Sequence, residues 1–147
     1  MYRNILVATD GSELASKAVR AALRLARDFN AQVTAVNVQP PYQPAVAVEV
    51  PAAFLHNPEE VEAEARSQSA SVLASVIEMA EPMGISCTTE TVFDVSVHQG
   101  VIATARSVRA DLIVMASHGR GGLKNLLLGS ETSKVLAHCQ IPVLVHR

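Results

Sequence analysis

Leu112-Ile113-Val114-Met115-Ala116-Ser117-His118-Gly119-Arg120-Gly121-Gly122-Leu123-Lys124-Asn125-Leu126-Leu127-Leu128-Gly129-Ser130-Glu131-Thr132 decides the reading of this chain. A short apolar run opens into a glycine-rich loop, and the residues after Ser130 take up helical spacing. Four of the seven glycines fall between positions 119 and 129. Glycine lets backbone N–H groups come close to an anion, and the first N–H groups of a helix have no partner inside it. A strand, a glycine-rich loop and a helix start in that order form a setting for phosphate.

Outward from this stretch the same alternation recurs. Asn4 to Thr9 reads as a first buried strand, and Asp10-Gly11-Ser12 as a turn with Ser12 as the N-cap of a helix. Leu14, Ala18, Ala21, Ala22, Leu25 and Ala26 recur at helical spacing, and Lys17, Arg20, Arg24 and Arg27 form a solvated opposite face. Asn30 suits a C-terminal cap. Val33 to Val38 is a second strand. Pro40, Pro41 and Pro44 then argue for a loop, although Val46, Val48 and Val50 alternate like a strand. Asn57-Pro58-Glu59-Glu60 is a helix start with a cap, a first-turn proline and a capping-box glutamate. That helix runs to about Met83, with Pro82 and Gly84 marking its end. Ile85 to Val92 is the third strand, Asp94-Val95-Ser96 a turn, and Ser96 the cap of a helix over 97–108. Leu112 to Met115 and Ile141 to Val145 are the fourth and fifth strands, the last at an edge because Pro142 has no N–H for a ladder. The order βαβ-loop-αβαβαβ implies one α/β domain over 1–147, an open five-stranded parallel sheet with helices on both faces.

Composition narrows the function. Twelve basic residues against fourteen acidic ones give a net charge of −2, without the basic excess that draws in nucleic acid. Aromatics are 3% and tryptophan is absent, which argues against base-stacking platforms. No apolar run reaches the roughly 20 residues of a membrane helix, and the N-terminus shows no leader pattern, so the cytoplasm is the expected compartment. Cys87 and Cys139 read as reduced thiols in or near the core. His56, His98, His138 and His146 have no metal-ligand spacing. The G-x-x-x-x-G-K-[ST] phosphate loop is absent. Ser117, His118 and Asp10 do not suggest a hydrolytic triad, because no G-x-S-x-G elbow is present and adjacent extended residues point to opposite faces.

Ile5-Leu6-Val7-Ala8-Thr9-Asp10-Gly11-Ser12, the span Asp111 to Ser130, and Ile141-Pro142-Val143-Leu144-Val145 together resemble the universal stress protein family, over the whole chain. Its ATP-binding members carry Gly, two residues, Gly, nine residues, then Gly and Ser or Thr. Gly119 and Gly129-Ser130 match the later positions, and Ala116 stands where the first glycine would be. Alanine matters there only if the backbone must reach positive φ or lie against the ligand; at the end of a strand it is tolerated.

The resemblance implies a Rossmann-like sheet of order 3-2-1-4-5. The loops after strands 1 and 4 then diverge and leave a crevice, where ligands of open α/β sheets bind. It further implies Ala8 and Thr9 beside a nucleoside and Val38 against adenine; Met115 joins the base pocket by position. Backbone N–H groups near Ala116, Gly119 and Gly122, and at Gly129-Ser130-Glu131, would hold phosphates. The hydroxyls of Ser130 and Thr132 would add hydrogen bonds. Arg120 and Lys124 would either screen the triphosphate charge or stand as solvated loop charges, and His118 either touches the ligand or shapes the loop. Asp10 would accept from ribose or meet a phosphate-bound Mg²⁺ through water. The expected function is binding of ATP, with AMP and ADP as alternatives and Mg²⁺ carried by the phosphates. The protein would act as a stress-response sensor or switch with at most slow hydrolysis. The alternative is a nucleotide-free dimeric interaction protein of the same family. A homodimer through residues 142–147 is expected in either case.

Overall fold

The structure is a computed structural model and describes residues 1–44, 56–120 and 128–147. Its elements are β1 (Asn4–Ala8), α1 (Glu13–Phe29), β2 (Gln32–Gln39), α2 (Pro58–Ala80), a 3₁₀ turn (Glu81–Met83), β3 (Cys87–Phe93), α3 (Val97–Ser107), β4 (Leu112–Ala116), α4 (Ser130–His138) and β5 (Val143–His146). The strands form one parallel sheet in the order β3-β2-β1-β4-β5, as expected. Central β1 pairs Ile5 with Val33 on one side and with Leu112 on the other. The chain builds from β1 toward β3, then returns to set β4 on the far side of β1. Beyond the C-terminal ends of β1 and β4 it therefore departs to opposite faces.

Alternation along the strands divides the core. Ile5, Val7, Val33, Ala35, Leu112 and Val114 face α1 and α2, against Ala15, Ala18, Val19, Ala22 and Leu23 of α1 and Leu73 and Val76 of α2. Leu6, Val36, Ile113 and Met115 face α3 and α4, against Val101, Ile102, Ala105 and Val135. Strands buried on both faces need apolar residues throughout, and all five residues of β4 are buried. The alanines of α1 let that helix lie close to the sheet, while Lys17, Arg20, Arg24 and Arg27 are exposed as expected.

The caps explain most boundaries. Ser12 Oγ accepts from Ala15 N, and Asn30 ends α1 in the left-handed region at φ 53°. Asn57 Oδ1 accepts from Glu59 N, with Pro58 opening α2. The helix expected to reach Met83 stops at Ala80 and tightens into the 3₁₀ turn, which Gly84 ends at φ 66°. Ile85 N still donates to Ala80 O, so β3 begins two residues later than expected. Ser96 stands at the N-cap of α3 but its side chain makes no capping bond, contrary to expectation; Asp94 Oδ1 instead accepts from Ser96 N. β5 begins at Val143, after Pro142, and occupies an edge as the proline implied. Cys87 and Cys139 are half-buried on opposite faces of the sheet. The valines at 46, 48 and 50 lie outside the described residues.

Candidate functional site

A cleft of about 200 Å³ opens where β1, β2 and β4 end. Ala8, Val36, Val38 and Met115 form its floor, and Val97 and Val101 of α3 form one wall. Gly100 allows that wall to come down: a Cβ at position 100 would lie 3.0 Å from both Cγ atoms of Val38. Thr9, Asp10, Asn37, Ala116, His118, Gly119, Glu131, Thr132 and Ala15 complete the lining. An apolar floor with a polar rim is the composition of a small-molecule site.

Asp10 joins the two loops at the rim. Its Oδ1 accepts from Ser12 N at 2.9 Å and its Oδ2 from Arg120 N at 2.8 Å. Burial works to raise its pKa, but the hydrogen bonds from Ser12 and Arg120 and the Arg120 charge hold it below the usual carboxylate range. Gly119 is glycine for room: a Cβ there would sit 2.6 Å from Asp10 Oδ2. Thr9 is fixed by its neighbours. Its N–H donates to Val36 O, its carbonyl accepts from Asn37 Nδ2, and its Oγ1 accepts from Gly11 N. Asn37 in turn accepts from Gln39 Nε2. Among the described residues every buried side-chain nitrogen and oxygen has a partner.

Ala116 closes β4 paired with His146, and among the described residues only Asn30 and Arg109 combine a side chain with positive φ. Alanine in place of the motif's first glycine therefore costs the backbone nothing. Gly129 departs from expectation. Its N–H donates to Ser117 O at 2.6 Å and so does not face the cleft. Its φ of −69° suits any residue; a Cβ there, however, would lie 3.1 Å from His118 Cα and from Ser117 O. Thr132 also has its proton committed, Oγ1 donating to Ala116 O at 2.9 Å. Ser130 and Glu131 open α4, where N–H groups lack intrahelical acceptors. Ser130 and Arg120 are exposed and do not line the cleft. Gly122, Gly121 and Lys124 lie outside the described residues.

Ser117 Oγ and His118 Nδ1 meet at 3.0 Å, against the expectation that they diverge. The chain has already left β4 at Ala116, so strand alternation no longer governs them. Ser117 is 2% exposed, and Asp10 is engaged with Ser12 and Arg120. The Ser117 hydroxyl therefore lacks access, and His118, although it lines the cleft, lacks an orienting Asp10 carboxylate. Ala15, Val36, Asn37, Val97 and Val101 are the lining residues that sequence reasoning missed. Alternation from Val38 was the available signal for Val36; nothing local marks the α3 valines, which arrive by tertiary packing.

The sequence profile of the universal stress protein family matches residues 1–147, so the chain belongs to that family. A universal stress protein of Methanocaldococcus jannaschii is 31% identical over 99% of this chain and 82% of its own length. The crystal structure of a universal stress protein family member from Burkholderia pseudomallei is similar with a TM-score of 0.77 at 29% identity, covering 98% of this chain and 95% of that one. The structure of a universal stress protein in complex with cAMP has a TM-score of 0.72 at 23% identity, over 99% of this chain and 97% of that one; this is a likeness of fold.

Proposed function

We propose that this member of the universal stress protein family binds an adenine nucleotide at the cleft and acts as a nucleotide-responsive switch. The observation that carries the reading is the cleft's position and make-up. It lies at the switch point of the sheet, is floored by Ala8, Val36, Val38 and Met115, and is rimmed by the Asp10–Arg120 joint. Its volume falls below the roughly 300–1,000 Å³ of sites that enclose a drug-sized ligand. The base and ribose would fill it, leaving phosphates at the mouth near Gly119 and the start of α4. That a fold neighbour is bound to cAMP agrees in ligand class.

Asp10 fits a ribose hydroxyl or a water on phosphate-bound Mg²⁺, because a carboxylate offers about four lone-pair sites and two N–H groups occupy part of them. Mg²⁺ would supply charge neutralisation for the phosphates when bound. Asp10 and Glu131, the carboxylates lining the cleft, are both held below the usual range, which makes them weak bases. Binding and release, with slow hydrolysis at most, is the reading they support. Among the described residues no helix is long and apolar enough to cross a membrane, and a cytoplasmic protein is part of the proposal. So is a homodimer through the exposed edge of β5.

Calorimetric titration with AMP, ADP and ATP tests the reading. One of the three should bind, and Gly129→Val should abolish binding by forcing Ser117 and His118 apart from α4. Absence of binding to wild type would favour the nucleotide-free dimer, which sedimentation would then have to show.

A further inference from the structure

Glu131 has a second role that the glycine motif does not explain. It is the second residue of α4, yet its carboxylate lies at the start of α3. Oε2 accepts from His98 N at 2.8 Å and meets His98 Nδ1 at 3.0 Å; Oε1 accepts from Lys134 Nζ at 3.1 Å. Helix α3 has no side-chain cap from Ser96. Its cap comes from another helix, 33 residues along the chain.

The chemistry fixes the His98 tautomer. An ionised carboxylate only accepts, so Nδ1 must carry the proton that faces Oε2. The His98 side chain is 13% exposed, so water competes little for this bond. The ring lies 5.9 Å from that of His138.

The bond joins two walls of the cleft. Val97 and Val101 stand one residue before and three after His98, and both line it; Glu131 and Thr132 line it from α4. We propose that Glu131 and His98 are positioning residues for the nucleotide. Their clasp holds the first turn of α3, over the base, at a fixed spacing from the first turn of α4, beside the phosphates. The inference rests on the nucleotide reading above. A carboxylate that bridges two helix starts lets one end of the ligand influence the other: phosphates that settle α4 also settle Val97 over the base.

The test compares wild type, His98→Leu and His98→Asn, with ATP titrated by calorimetry and exchange of the residue 98 backbone amide followed by NMR. Leucine removes the side-chain donor; asparagine returns an N–H close to the place of Nδ1. His98→Leu should raise Kd about tenfold and speed amide exchange, and His98→Asn should recover Kd to within about threefold. Equal Kd for His98→Leu and wild type overturns the clasp, as does a folded His98→Asn that binds as poorly as His98→Leu. If His98→Leu does not fold, Glu131→Gln replaces it. That variant keeps an acceptor without the charge and should weaken binding about threefold; unchanged binding overturns the clasp. Wild type that binds no nucleotide overturns the nucleotide reading and the positioning role with it, whatever the amide exchange shows.

Discussion

Gly119→Ala probes the joint between the two loops. The added Cβ would lie 2.6 Å from Asp10 Oδ2, inside the closest approach that packed protein interiors tolerate. Asp10 cannot turn aside freely, since Oδ1 is held by Ser12 N and Oδ2 by Arg120 N. Making room means giving up the Arg120 bond. A hydrogen bond to a charged group contributes about 1.5–3 kcal/mol, and overpacking costs about 1–3 kcal/mol. Because relaxation trades one loss for the other, about 2 kcal/mol is expected. With a urea m-value of about 2 kcal/mol/M, the unfolding midpoint falls by about 1 M. The control is a double-mutant cycle with Asp10→Ala. That change costs a similar amount alone, but it empties the space the new methyl needs. Adding Gly119→Ala to it should then cost under about 0.5 kcal/mol, a strongly non-additive result. If Gly119→Ala costs the same in both backgrounds, the clash with Asp10 is not why position 119 is glycine, and the joint is wrongly described.

Ala116→Gly should leave nucleotide affinity unchanged and lower stability by about 0.5–1 kcal/mol, because the position is an ordinary strand end; calorimetry and thermal unfolding check both parts. Asp10 and Glu131 also predict an acid response. In each, burial pushes the pKa up but is outweighed: at Asp10 by Ser12 and Arg120, at Glu131 by His98 and Lys134. Folded values below the unfolded ones of about 3.9 and 4.3 mean that the stabilisation is complete above those values. It is lost as pH falls through the folded values. Asp10→Asn should therefore flatten the loss of stability below about pH 4; circular dichroism during acid titration at fixed urea reads the slope, and an unaltered slope would count against the assignment.

How far the sequence could be read depended on whether a signal was local. The strands were legible because Ile5-Leu6-Val7 and Leu112-Ile113-Val114 are apolar on both faces. Ser12, Asn30, Asn57 and Gly84 announced helix ends through their own backbone preferences. The strand order came from the family resemblance. Failures came where a polar group is claimed by a distant partner. The local pattern gave α3 to Ser96, but Glu131 caps it. Gly129 and Thr132 looked free to meet phosphate, yet Ser117 O takes the one N–H and Ala116 O the other's hydroxyl proton. Both are acceptors left unpaired as β4 ends, and the start of α4 is drawn in to satisfy them. Ala116 itself could be weighed only once its φ was known.

The central claim is that the cleft between β1, β2, β4 and α3 holds the base of an adenine nucleotide. Methyl NMR of the protein titrated with ATP reads it directly. Resonances of Val38, Val97, Val101 and Met115 should shift together and saturate, while those of Leu73 and Val76, packed on the opposite face of the sheet, stay in place. Saturable ATP binding that leaves the four cleft residues unmoved, or no shift at millimolar ATP, would contradict the account.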